Sequence, residues 1–296
     1  METLSLLVAF AGGIFGAAIG GLAAFVFVGI LILVGVAAQA TGADLLSVPL
    51  GAAFGPHVGG FASGVAAAAY AAKKGVLEGG GKDIVSPMMG LNKPDVLLIG
   101  GIFGIVGYLL NYLFTLVNFP WTDTIALSVV VSGIIVRVIW GNGIFGKVAE
   151  GSSRFEPAPG TEWVPWQSSL GQRLIIGVGA GALSAYLTTA IGVDNGGVVF
   201  GFAISAASLA FLFFGLQVPV THHITLIAAV VTASSGSILM GTIFGTIAAV
   251  LGEYFADAFH VHGDTHIDPP ACTIAAVTSL SLVCGNLGLY KIPMPF

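Results

Sequence analysis

Two long stretches without a formal charge constrain the fold of this chain more than any other feature. The first runs 41 residues from Thr3 to Ala43, and the second runs 58 residues from Asn195 to Gly252, interrupted only by His222 and His223. A membrane-spanning helix needs about 20 apolar residues. Each stretch exceeds one crossing, so each must contain additional helices or long, broken ones.

The composition indicates an all-α polytopic membrane protein. Charged residues make up 8% of the chain, hydrophobic residues 56%, and the mean hydropathy is +1.00. The 44 glycines suit helix packing in a bilayer, where small residues let backbones approach closely. No stretch is long and polar enough for a soluble domain, so we expect one transmembrane domain over residues 1–296 in the plasma or inner membrane. Its surroundings are the lipid bilayer, and nucleic acid is excluded as a partner because basic patches are missing.

The gaps between charged residues predict about eight transmembrane helices. Trp121 and Trp140 bracket the fourth and are about 28 Å apart along a helix, which matches the two interfacial aromatic belts. Gly20 and Gly21 offer an alternative, in which the first stretch is a hairpin, the helices number nine and the N-terminus lies outside. The eight predicted helices span residues 4–38, 45–73, 95–118, 122–141, 170–190, 196–216, 221–258 and 268–289.

The basic residues predict the orientation of these helices. Lysines cluster in the loop from Lys73 to Lys93, and Lys147, Arg154 and Arg173 flank the connecting loop 142–170. The positive-inside rule places both loops in the cytoplasm. With eight crossings, both termini are then cytoplasmic and the segment His260–Asp268 faces outside.

The glycine pattern predicts an internal repeat. A shift of 181 residues superposes Gly16, Gly20, Gly55, Gly60 and Gly64 on later glycines. The proposed units are 1–118 and 185–296, and the predicted topology makes them inverted copies, as in many secondary transporters. The alternative is that glycines recur at this spacing because glycine-rich helices pack that way.

Each predicted unit contains a long apolar stretch with a helix-breaking centre. Proline removes a backbone donor and disfavours helix at the residue before it. Opposed half-helix ends would offer free N–H and C=O groups to an ion or a polar solute at the middle of the membrane. The alternative is a packed kink whose polar atoms are satisfied by neighbouring helices. The candidate solute-binding residues are Gly55, Pro56 and His57 in the first unit and Ser234, Ser235 and Gly236 in the second.

A polar segment before the last predicted helix is the second candidate site. It contains His260, His262, Asp264, His266 and Asp268, and this composition suits a divalent metal ion, although the spacing matches no standard zinc signature. A substrate vestibule, a hydrogen-bonded loop or a merely solvated segment are the alternatives.

The one further acidic candidate is Glu253, which follows the second uncharged stretch near the end of a predicted helix. An intramembrane acid suggests a function by default, and here it would line the outer entrance to the transport path.

These patterns favour a membrane transporter or channel for a small solute or ion over an enzyme. The chain has no phosphate-binding loop and no HExxH motif. A metal-binding membrane protein or metalloenzyme that uses the His/Asp segment is the first alternative, and a structural membrane subunit is the second. Glycine-rich helix faces also predict a homo-oligomer.

Overall fold

The structure, a computed structural model, describes residues 3–39 and 41–291. Helices make up 69% of the chain, and the described residues form no β-strand, which confirms the all-α prediction. The α-helices are α1 (Thr3–Ile19), α2 (Gly21–Gln39), α3 (Ser47–Leu50), α4 (Ala62–Lys73), α5 (Pro94–Leu116), α6 (Thr124–Trp140), α7 (Leu170–Ile191), α8 (Gly197–Ser208), α9 (His222–Ser235), α10 (Ile238–Phe255) and α11 (Pro269–Asn286). A 3₁₀ segment, Leu209–Phe214, extends α8, and a π-helical turn, Ala256–Val261, extends α10.

Five of these helices are long and apolar enough to cross a membrane: α2, α5, α7, α8 with its extension, and α10 with its extension. Their outer faces carry large apolar side chains with high exposure, including Leu116 at 65%, Ile175 at 75% and Leu239 at 67%. In water such a surface would be unfavourable, whereas lipid tails solvate it. The structure is therefore consistent with a helical membrane protein.

The predicted first helix, 4–38, is two helices in the structure. Gly20 separates α1 from α2 and has φ +93°, a conformation that side chains with a Cβ rarely adopt. The alternative division at Gly20 is the one that the structure adopts.

Two other predicted helices are also divided. Of the predicted helix 45–73, only α3 and α4 are α-helical, and residues 51–61 between them are irregular. The predicted helix 221–258 is interrupted at Gly236, which ends α9 with φ +70°, and Ser237, whose hydroxyl caps α10. Both breaks contain a helix-breaking centre predicted from the sequence, Gly55–Pro56 in the first stretch and Ser234–Gly236 in the second.

The helices form two sets that pack in the same order. In the first set α1 packs on α2, α4 and α5, and α6 packs on α4 and α5. In the second set α7 packs on α8, α9 and α10, and α11 packs on α9 and α10. Between the sets, α2 packs on α8 and α6 packs on α11. The connecting segment 141–169 is largely irregular, with one short 3₁₀ turn, Pro165–Gln167.

Candidate central cavity

Helices α4 and α9 have 12 and 14 residues, and they are almost entirely buried. The irregular backbone that precedes α4 satisfies its own hydrogen bonds: the amide of Ala62 donates to Pro56 O at 3.0 Å, and that of Gly60 donates to Gly55 O at 3.0 Å. This pairing explains how the chain keeps a non-helical segment inside the protein.

The connecting segment holds the loop that precedes α9. The Gln167 side chain donates to Val220 O at 3.1 Å and accepts from Val220 N at 2.8 Å, and the Trp166 indole donates to Val218 O at 2.9 Å. Gln167 is buried at 6% exposure. These bonds fix the position at which His222 begins α9.

Two adjoining cavities lie between the two sets of helices. Their volumes are about 210 Å³ and about 60 Å³. Both are lined by Phe25 of α2, Phe61 before α4, His222 of α9 and Asp268 before α11. Together they form what we call the central cavity, because both halves of the chain contribute to its walls.

The polar atoms of the central cavity come from two carboxylates and two imidazoles. Asp123 and Asp268 both line its smaller part, and each caps a helix: Asp123 Oδ1 accepts from Ala126 N and Asp268 Oδ2 accepts from Ala271 N, both at 2.8 Å. His266 Nε2 lies 3.1 Å from Asp268 Oδ1. These side chains can therefore bind a small polar or charged group inside an otherwise apolar enclosure.

His222 is the cavity residue whose hydrogen-bonding capacity is least used. It is 6% exposed, and its Nδ1 has no hydrogen-bond partner. Its ring centroid lies 4.7 Å from that of Phe25 and 6.0 Å from that of Phe202. Its neighbour His223 is fully buried and contacts Trp163, with ring centroids 6.2 Å apart.

The predicted broken-helix residues do not form one site in the structure. Pro56 lines the smaller part of the central cavity, beside Gly55, while His57 is 1% exposed and lines neither part. The second group lies at the end of α9, away from both parts of the cavity. There the hydroxyls of Ser234 and Ser235 donate to carbonyls one turn back in their own helix, and Gly236 ends it.

Glu253 lies in α10 at 8% exposure and lines neither part of the central cavity. Its helix packs against α9 near His223: a Cβ added at Gly252 would lie 2.8 Å from His223 Nε2. Glu253 is therefore a buried acid next to the cavity wall.

The segment 260–268 lies beside the basic loops, and this corrects its predicted position on the opposite side. The carbonyl of His262 accepts from Lys147 N at 3.0 Å, and His262 Nε2 lies 3.1 Å from Arg154 O. Lys82 donates to Val261 O at 3.1 Å. The prediction was wrong because it counted residues 4–38, 45–73 and 221–258 as single helices, each of which the structure divides.

The members of the segment point to different surroundings. Asp264 lies 3.8 Å from the buried Arg137 guanidinium and accepts from Asn142 N at 3.1 Å. His260 packs on His266, with ring centroids 4.5 Å apart, and His266 faces Asp268 and the cavity.

Within residues 3–39 and 41–291, no three His, Cys, Asp or Glu side chains are arranged to hold a metal ion. The observed geometry therefore gives no support to the metal-binding alternative.

Burial and the nearby Arg137 guanidinium lower the pKa of Lys82, and Asp264 acts in the opposite direction. These groups mark a densely charged contact between the loop 74–93 and the segment 259–265. A bridge between Gly81 and Thr265 belongs to the same contact.

Sequence reasoning missed several cavity residues, among them Phe25, Phe61, Asp123 and His222. One signal could have found Asp123. The sequence Asp-x-x-Ala occurs at Asp123–Ala126 and again at Asp268–Ala271, at the start of the last helix in each half.

The fold and the cavity define a helical protein with the apolar surface of a membrane protein and a small cavity between two halves. The chain belongs to a family of unknown function, DUF7973, whose model matches residues 1–162 and 154–294. The first matched range contains α1 to α6 and the second contains α7 to α11. No curated protein and no solved structure matches the chain.

Proposed function

We propose that the protein is a membrane transporter or channel that moves a small solute through the central cavity, between two inverted units. The cavity between the N-terminal ends of the two short buried helices carries this proposal. Broken backbone inside a membrane protein is tolerated where it is buried or lines such a cavity. Binding sites of this kind, at the interface of two repeats, are typical of secondary transporters.

The matching helix order supports a duplication. Helices α1, α2, α4, α5 and α6 correspond by their packing to α7, α8, α9, α10 and α11. The contacts between halves join corresponding helices, α2 with α8 and α6 with α11, as a two-fold axis requires. The family model matches each half separately. This correspondence replaces the predicted shift of 181 residues and the predicted units 1–118 and 185–296. That shift paired Gly55, which precedes α4, with Gly236, which follows α9.

Contacts between loops support the inverted orientation of the units. The loop that precedes α5 contacts the end of α10, through Lys82 and Val261 at 3.1 Å. The start of α7 lies near the end of α10, where Arg173 reaches Val250 O at 3.4 Å. Corresponding helices α5 and α10 therefore run in opposite directions. Each unit has four long helices and one short one, so the chain has eight long crossings and two discontinuous ones.

The charge distribution supports a cytoplasmic position for the basic loops. Of the nine Lys and Arg residues, eight lie in or next to the connected loops on one side, and the ninth, Lys291, follows α11. The positive-inside rule then assigns that side to the cytoplasm of the cell membrane. In this arrangement each unit crosses the membrane five times, counting its short helix as one crossing. The start of α1 and the end of α11 therefore lie on the side opposite to the basic loops. The termini, residues 1–2 and 292–296, lie outside the described residues, and their predicted cytoplasmic location gives way to this proposal.

The size of the cavity limits the solute. At about 30 Å³ per molecule, the larger part holds roughly seven waters. A small solute fits this space, whereas a lipid or a peptide does not. Rocking of one unit against the other would expose the cavity to each side in turn.

Osmotic swelling of proteoliposomes tests this function. The solutes are glycerol, acetate and methylammonium, which are neutral, anionic and cationic. Ala126→Leu and Ala271→Leu add bulk at corresponding positions of the smaller cavity wall, and Ala190→Leu adds the same bulk on the exposed face of α7. We expect the flux of at least one solute in the wild type, a severalfold lower flux in both cavity variants and an unchanged flux in the control. Equal flux in correctly folded cavity variants would refute passage through this cavity.

A further inference from the structure

Asp123 and Asp268 occupy corresponding places in the two halves, and both face the smaller part of the central cavity. Each is the residue before the last helix of its half, and each caps that helix through one carboxylate oxygen. Asp123 is 4% exposed, and the Asp268 side chain is 14% exposed. Two acidic groups from opposite halves thus line one small, mostly apolar space.

No basic side chain among the described residues neutralises this pair. Neither Lys nor Arg lines either part of the cavity within residues 3–39 and 41–291. The ion pairs of the described residues involve Asp95 with Lys74 and Asp264 with Arg137, and Asp268 faces only the imidazole of His266. Buried charge is costly unless it is paired, so the cavity is suited to receive a positive charge from outside the chain.

His222 independently indicates a ligand. It is more than nine-tenths buried, it lines both parts of the cavity, and its Nδ1 is without a hydrogen-bond partner. A buried nitrogen of this kind calls for a partner that the protein does not provide. A neutral imidazole offers one acceptor nitrogen, which a donor group of a ligand can use.

The rest of the wall is aromatic and aliphatic. Phe25 and Phe61 lie where the two parts of the cavity meet, and Trp163 and Trp166 line the larger part. Aromatic faces attract cations and also cover the apolar part of an organic molecule. A bare metal ion would instead require a shell of oxygen ligands, and the wall offers few.

We infer that the central cavity binds a small organic cation, with its ammonium group beside Asp268 and His222, which line both parts, and its apolar part against the aromatic residues. The ammonium donates a hydrogen bond to the Asp268 carboxylate, and the Asp123 carboxylate adds a second negative charge to the wall of the smaller part. An anion would be repelled by both carboxylates. This inference rests on the proposed function for its role in transport, but it concerns binding and is tested separately.

The experiment measures binding to the purified full-length chain in detergent by titration calorimetry. The probe is benzylammonium, and benzyl alcohol and benzoate are its neutral and anionic counterparts of similar shape. Asp123→Asn and Asp268→Asn remove the charge and keep an oxygen that can cap the helix. Asp44→Asn, at an exposed position, is the matched control.

We expect benzylammonium to bind the wild type and the control, and to bind Asp268→Asn about tenfold more weakly, because a hydrogen bond to a charged group is lost. Asp123→Asn should also weaken binding, because it removes one negative charge from the cavity wall. Absence of benzylammonium binding, stronger binding of benzoate or benzyl alcohol, or unchanged binding in both cavity variants would each overturn the inference. The swelling experiment tests transport independently of cation binding. If the protein transports acetate or glycerol but does not bind benzylammonium, the proposed function stands and the cation site is refuted.

Discussion

Arg137 and Thr265 are joined by two hydrogen bonds, from Arg137 Nε to the Thr265 hydroxyl at 2.5 Å and from Nη2 to the Thr265 carbonyl at 2.6 Å. The same guanidinium donates to Ile144 O at 2.9 Å and to Phe259 O at 3.1 Å. Arg137 is fully buried at the end of α6, and Thr265 lies in the segment that leads into α11. The pair therefore fastens the last helix of the first half to the approach of the last helix of the second half.

Arg137→Ala should destabilise the protein strongly. The substitution leaves the buried carbonyl and hydroxyl of Thr265 and the partly buried carbonyls of Ile144 and Phe259 without their donor. Each buried unsatisfied polar group costs about 1–3 kcal/mol. We expect a loss of at least about 3 kcal/mol, seen as a markedly lower unfolding temperature in detergent.

Arg154→Ala is the control for this substitution. Arg154 is partly exposed, and its side chain donates to a single carbonyl, that of Phe145, so its loss should change stability by less than about 1 kcal/mol. Similar unfolding temperatures for the two variants would contradict the fastening role of Arg137.

The sequence predicts those helices that charges or aromatic residues delimit. The predicted spans 95–118 and 170–190 agree closely with α5 and α7, which begin after Lys93 and after the cap of Ser169. In the spans 45–73 and 221–258 the sequence predicted where the helix breaks, at Gly55–Pro56 and Ser234–Gly236, but not that residues 51–61 are irregular over their whole length. Local sequence signals do not predict the length of this irregular segment, because the hydrogen bonds that stabilise residues 51–61 form only in the folded loop.

The candidate site was only partly accessible from sequence. The sequence indicated His266 and Asp268 because polar residues cluster there. It suggested metal binding as their role, which the structure does not favour. Phe25, Phe61 and Asp123 come from three distant segments, and only tertiary packing brings them together. Phenylalanine is ordinary in an apolar segment and aspartate is ordinary at a helix cap, so the types of these residues do not indicate a cavity.

Gly107 is a position at which the fold permits no side chain. A Cβ there would overlap the carbonyl oxygen of His57, which is part of the irregular backbone before α4. Because a backbone carbonyl cannot rotate away as a side chain can, Gly107→Ala should cost at least about 2 kcal/mol and lower the unfolding temperature.

Gly179→Ala provides the matched comparison. Gly179 is exposed in α7, and a Cβ there meets no atom within 4 Å. Alanine is the better helix former, so this variant should be neutral or more stable by up to about 1 kcal/mol. Equal destabilisation in both variants would show that close approach of α5 to residue 57 is not what requires glycine.

Gln167 controls how the connecting segment is held over the larger part of the cavity. Its side chain makes two hydrogen bonds to Val220, and Trp163 and Trp166, which precede it in the chain, line the cavity wall. Gln167→Ala removes both bonds and should loosen this wall, with a cost of about 1–3 kcal/mol.

Hydrogen exchange followed by mass spectrometry measures this effect locally. We expect faster exchange in residues 161–168 and 215–223 of Gln167→Ala, because these two segments are held together by the lost bonds. The variant Gln172→Ala, at an exposed position in the first turn of α7, should leave both segments unchanged. Protection that persists in Gln167→Ala would mean that packing of the tryptophans alone holds the segment.

The proposed orientation predicts which side of the membrane each loop occupies. Single cysteines replace Met89 and Glu150 in the basic loops. On the side proposed to lie opposite, they replace Asp44, which follows α2, and Leu289, which follows α11. All four positions are exposed. The background is Cys272→Ser with Cys284→Ser, which removes both native thiols. In intact cells, a membrane-impermeant maleimide should label positions 44 and 289 and should label positions 89 and 150 only after the cells are opened. The inverted arrangement requires this division, because α2 and α11 both end on the side opposite to the basic loops. Labelling of positions 44 and 89 from the same side would refute it, whereas reversal of all four would keep the inverted units and overturn only the cytoplasmic assignment.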